Sequence, residues 1–110
     1  MEAAQADIVA KHGCIVREAF ELANDDGTPL DTTGWTAAAQ VRKRVGAELT
    51  ADFIAEVEDG VLLIEMELEV SNAIAAGQYV WDAILTNADG EPDQYFKGSY
   101  TKVLTATVLP

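Results

Sequence analysis

The nine residues from Val61 to Glu69 constrain the fold more than any other stretch of the chain. Leu62, Ile64, Met66 and Leu68 alternate there with Leu63, Glu65, Glu67 and Glu69, a period of two that buries one row and leaves the other largely acidic. That is a strand. Immediately before it stands Asp59-Gly60, a dipeptide that closes two-residue hairpins because both central positions want positive φ. Leu49 to Glu58 is therefore predicted as the partner strand. Leu49, Ala51, Phe53, Ala55 and Val57 line one side of it, and Ile54 interrupts the polarity of the other.

Two acidic turns punctuate the rest, Asn24-Asp25-Asp26-Gly27-Thr28-Pro29 and Asn87-Ala88-Asp89-Gly90-Glu91-Pro92-Asp93. Each supplies glycine for positive φ and proline to stop the strand before it. Ile15 to Leu22 reads as a strand with Val16, Phe20 and Leu22 toward the core. Thr36 to Lys43 reads as another, its three alanines notwithstanding, and Gln78 to Thr86 as a central strand, apolar on both faces except at Asp82. Tyr95 to Leu109 suits one long or broken terminal strand. A short helical turn is expected over residues 69–76, with Ser71 as its cap and Gly77 at its end. The sum is an all-β, immunoglobulin-like antiparallel β-sandwich of seven to eight strands.

Composition then narrows the function. A chain of 110 residues suffices for one hydrophobic core, so residues 1–110 read as a single domain, with 1–9 as an N-terminal arm. Nineteen Asp and Glu against seven Lys and Arg give a formal charge of -12. Such a surface repels phosphate backbones and anionic headgroups, which argues against nucleic-acid and membrane partners. Met1 to Asp7 lacks a basic and apolar leader, and the product is expected to be made in the cytoplasm. Cys14 is the single cysteine and His12, two residues earlier, the single histidine. On one strand they would share a face, but no third group is at hand to orient them. No GxSxG, HExxH or phosphate-binding glycine loop is present, so no catalytic residue and no cofactor is expected, and the chain reads as no enzyme. The acidic turns fail the EF-hand spacing: with Gly27 or Gly90 at the sixth position, the first and twelfth fall on Leu22 and Thr33, or on Leu85 and Phe96.

Candidate partner-binding residues remain. Arg42, Lys43 and Arg44 gather three of the seven basic side chains at a strand end, where they would meet a carboxylate or phosphate patch on another subunit or on a second copy of the chain; alternatively Arg42 pairs with a carboxylate of its own chain. Trp35, after Gly34, is the candidate aromatic platform, whereas Trp81 belongs in the core.

The order of these pieces carries a resemblance. Asp26-Gly27-Thr28-Pro29-Leu30-Asp31-Thr32-Thr33-Gly34-Trp35, then Ala39-Gln40-Val41-Arg42, then Gly60 before an alternating strand, then Ala76-Gly77-Gln78-Tyr79-Val80-Trp81-Asp82, then Gly98 and Val103, resembles small bacteriophage virion proteins. The likeness is to the immunoglobulin-like sandwich domains of tail and baseplate proteins, including the amino-terminal domain of baseplate upper proteins. It spans about residues 10 to 105. Thr32 departs from it, standing where an apolar residue is usual, so the hydrophobic anchor of the turn is either missing or supplied by Leu30. His12-Gly13-Cys14 replaces the usual glycine-aspartate entry. The resemblance implies a non-enzymatic structural protein located in the virion, acting as an assembly, adaptor or decoration module on tail, neck or capsid, with other virion subunits and copies of itself as partners. Two alternatives stay open: a host-surface glycan-binding module using Trp35, and an acidic inhibitor that mimics nucleic acid.

Overall fold

The computed structural model describes residues 3–107 and arranges them as nine strands and one short helix. In chain order these are β1 (Ala4–Gln5), β2 (Ile8–Lys11), β3 (Val16–Glu21), β4 (Thr36–Arg42), β5 (Leu49–Asp52), β6 (Ile54–Glu58), β7 (Val61–Met66), α1 (Leu68–Asn72), β8 (Gly77–Thr86) and β9 (Pro92–Val103). They form two sheets. The larger runs β1-β9-β8-β4-β5, with β2 also on β9, and the smaller runs β3-β7-β6. Val16, Leu62, Ile64 and Met66 from the smaller sheet meet Val41, Trp81, Ala83, Leu85 and Tyr100 from the larger in one core. The chain is an all-β sandwich, with β8 in the middle of the larger sheet as its apolar sequence requires.

The β6–β7 hairpin follows from its residues. Asp59 at φ 50° and Gly60 at φ 77° make the two-residue turn, and Glu58 faces Val61 across it. Both positive values belong to the type I′ turn, whose twist matches that of the strands it joins. The predicted partner strand, however, is two strands. β5 pairs with β4 in the larger sheet and β6 with β7 in the smaller, and the chain crosses at Phe53, whose N–H donates to Ala39 O at 2.9 Å. Ala51 and Phe53 stay buried through the crossing, which lets one apolar row serve both sheets. Ile54 then falls on the outer face of the smaller sheet, and the broken polarity of the sequence marks that change of sheet.

The helical turn is shorter than expected, and Ser71 is not its cap. Glu67 occupies the N-cap position without a side-chain bond, while Ser71 sits inside α1, fully buried. Its carbonyl and hydroxyl both accept hydrogen bonds from Nζ of Lys102, itself only 2% exposed. A cation against the last carbonyls of a helix is favourable, and the lysine stem fills core volume. Burial lowers the Lys102 pKa, because the charged form loses its water.

The sheet pairing is also not wholly antiparallel. Residues 1–9 read as an arm, yet β1 and β2 lie parallel on β9, with Ala4 opposite Phe96 and Ile8 opposite Tyr100. Ile8 and Ala10 enter the core. Between β1 and β2 the backbone dips inward so that Ala6 O accepts the Trp81 indole N–H at 2.7 Å, and Asp7 Oδ1 accepts the Ser99 N–H at 2.9 Å. Gly98 permits this approach. A Cβ there would stand 1.8 Å from Ala6 O. The terminal strand ends at Val103, and Val108 and Leu109 of the predicted strand lie outside the described residues.

Candidate interaction site

The outer face of the larger sheet carries the site. Strand register sets Asp52, Gln40, Asp82 and Lys97 in one row across β5, β4, β8 and β9, with Arg42 beside Val80 in the next. The loop of residues 43–48 rises at one side, and together they enclose a groove of about 380 Å³ lined by Gln5, Gln40, Arg42, Val45, Val80, Asp82, Gln94 and Lys97, among others.

Within the groove, amides stand between the charges. Gln40 Nε2 donates to Asp52 Oδ1 at 2.9 Å, which turns its carbonyl oxygen toward Arg42, and Arg42 Nη2 donates to that oxygen at 2.9 Å. Arg42 Nη1 donates to Ala47 O at 2.7 Å and so also pins the loop. Asp82 Oδ2 likewise accepts from Gln94 Nε2 at 2.8 Å. The guanidinium is thus held in place without being neutralised. A guanidinium has five donors in a planar fork, so most of Arg42's remain for another molecule. Among the described residues the ion pair formed is Arg17 to Glu65, at 2.8 Å on the opposite sheet; neither Arg42 nor Lys97 forms one. In a chain where carboxylates outnumber basic groups nineteen to seven, this groove brings two cations, Arg42 and Lys97, together with one carboxylate, Asp82.

The other predicted residues are placed as follows. Lys43 lies over the Tyr79 ring at 4.6 Å, a cation–π contact, and Arg44 is exposed in the loop. Trp35 is half-buried just before β4, about 23 Å from Arg42 at roughly 3.3 Å per residue along an extended strand. Its ring meets Tyr95 edge-on at 5.7 Å. The structure therefore separates Trp35 from the basic cluster and engages its ring within the fold. His12 and Cys14 do not share a strand face; they lie in the turn after β2, where Cys14 N–H donates to Lys11 O at 3.1 Å.

In the first acidic turn, and at Asp31 just after it, the carboxylates are occupied by local hydrogen bonds. Asp26 Oδ1 accepts from Thr28 Oγ1 at 2.6 Å and Thr28 N–H at 3.0 Å, and these two bonds hold its carboxyl below the ordinary carboxylate pKa. Asp31 repeats the arrangement with Thr33, whose backbone N–H and then hydroxyl lower its pKa. Among the described residues no three His, Cys, Asp or Glu gather where an ion could sit, and no helix is long and apolar enough to cross a membrane.

Gln5, Gln94 and Lys97 were not legible as site residues. Asp82 carried a signal, as the polar interruption in an apolar strand, and so did Gln40, two residues from Arg42 on the same face. Lys97 and Gln5 join them only through the pairing of β9 with β8 and β1.

No known family profile matches the chain, and no curated protein is similar to it. Among solved structures, CopC from Methylosinus trichosporium OB3b is similar, with a TM-score of 0.51 over 97% of this chain and 91% of that one at 14% identity. At that identity the likeness concerns the fold alone.

Proposed function

We propose that the chain is a non-enzymatic structural module of a bacteriophage particle, made in the host cytoplasm and assembled into the virion, where it docks on other virion subunits through the groove on its larger sheet. The observation that carries the docking is the placing of two cations without ion pairs, Arg42 and Lys97, in one concave face of an otherwise acidic body. Complementary charge of this kind steers encounter and fixes register between subunits more than it adds affinity. The virion setting rests on the order of turn and strand motifs from Asp26 to Val103. A rigid sandwich whose groove residues are held by neighbouring amides presents a preorganised surface and loses little freedom on binding.

Particles purified on a density gradient and analysed by mass spectrometry test the reading. The chain is expected in a fixed copy number set by particle symmetry, and Arg42→Ala with Lys97→Ala is expected to fold normally but to be depleted from particles at least about tenfold. Absence of the chain from purified particles overturns the proposal. Selective glycan binding abolished by Trp35→Ala would replace it with a host-surface role.

A further inference from the structure

The two outer faces of the sandwich differ in sign. On the smaller sheet, register places Arg17, Glu65 and Ile54 in one row, Ala19, Leu63 and Glu56 in the next, and Glu21, Val61 and Glu58 in the third. Four carboxylates there face one guanidinium, which Glu65 already engages. At the middle lies a recess of about 210 Å³ lined by Ile54 and Leu63, 50% and 39% exposed, with Ile64, Glu56, Glu65 and the Glu65-paired Arg17. On the other sheet, Val45 is 89% exposed in the loop of residues 43–48, next to Arg44 and Lys43 and three residues before Glu48. An exposed apolar knob flanked by cations and an apolar recess flanked by carboxylates are complementary in both respects.

We propose that this loop of one copy seats on the outer face of the β3-β7-β6 sheet of a second copy, Val45 entering the recess against Ile54 and Leu63 and Arg44 meeting Glu56 and Glu58. The contact rests on the reading of the chain as an assembly module and names one partner for it, the chain itself. Because the two patches lie on different sheets, the contact is heterologous: each copy added leaves one loop and one recess unused, and the copies form a row or a ring. A contact made by one loop is small, so it is weak between free copies and salt-sensitive, and it strengthens when a larger scaffold already holds the copies side by side.

Sedimentation of the full chain tests this with two variants, one losing the loop (Arg44→Ser with Val45→Ser) and one losing the recess (Ile54→Ser with Glu56→Ser). The wild type is expected to grow beyond dimers with rising concentration at about 0.15 M salt, where repulsion between copies of charge -12 is screened beyond about 8 Å but the close loop contact is not, and to revert to monomers at about 1 M. Each variant alone is expected to associate at least about tenfold more weakly. An equimolar mixture of the two is expected to form heterodimers that stop at two, since one intact loop and one intact recess remain. Glu56→Gln, which keeps the shape of the side chain, serves as a milder variant should the double substitution unfold. A wild type that stays monomeric throughout overturns the contact, and so does association that survives either double variant or a mixture that restores nothing. None of these results bears on whether the chain is present in particles, so the two proposals fail separately.

Discussion

The β6–β7 hairpin and the N-terminal edge formed by β1 and β2 are both strand pairings on the same core, yet they are specified in different ways. In the hairpin the partners are joined by two residues, and Asp59-Gly60 holds the positive φ values that set the register. At the edge, Ile8 finds Tyr100 some ninety residues away, and no turn dictates the alignment. What fixes it is a lock made of single groups: the absent Cβ of Gly98, the indole N–H of Trp81 and the carboxylate of Asp7. Local pairings draw on turn chemistry, whereas distant ones need shape and hydrogen bonds that close only when the fold is complete.

Breaking the lock should have the largest effect. In Gly98→Ala the new methyl would overlap Ala6 O, so the backbone of the N-terminal edge has to move, and a loss of about 3 kcal/mol in denaturant unfolding is expected. Amide exchange should accelerate over residues 4–11 while β6 and β7 keep their protection. Equal acceleration in both regions, or unchanged stability, would contradict the distinction drawn here. The hairpin offers a smaller target. Gly60 N–H, buried, donates to Thr32 Oγ1 at 3.0 Å, and Thr32→Val strands that donor at a cost of about 2 kcal/mol. If the hairpin is set by its turn, the register of β6 on β7 survives this change, which cross-strand nuclear Overhauser contacts would report.

The smallest expected effect is that of acid. Asp7 is held below the ordinary value of 3.8, chiefly by the backbone N–H of Ser99 and then by the amide of Gln5. Its contribution is therefore complete above the unfolded value and is lost as pH falls below 3.8 through the lowered folded value. Exchange at Ser99 and along β2 should rise in that window before exchange in β7 does. Asp7→Asn keeps an acceptor without the titration and should flatten the response; a response left unchanged would assign it to another carboxylate.

The same contrast explains how much the sequence disclosed. Period two and the Asp-Gly dipeptide were enough to find β7, its hairpin and the sandwich class, because those signals are local. The crossing at Phe53 was visible only as a flaw, Ile54 on a side that should have been polar, and one apolar row serving two sheets looks like one strand until both sheets are present. Thr32 looked like a lost apolar anchor; it is a polar one, and its partner is 28 residues further along the chain. Ser71 has the composition of a helix cap, but its hydroxyl turns to Lys102 in the core, and only tertiary packing decides between the two uses. Of the candidate site, Arg42 and its place at a strand end were legible. Its isolation from carboxylates was not, since that depends on which amide stands next to which charge.

The parallel seating of β2 on β9 has a mechanical consequence. Pulling the chain by its two extremities draws these neighbouring strands past one another along their length, so that the bonds from Ile8–Tyr100 to Lys11–Val103 bear the load together instead of opening one after another.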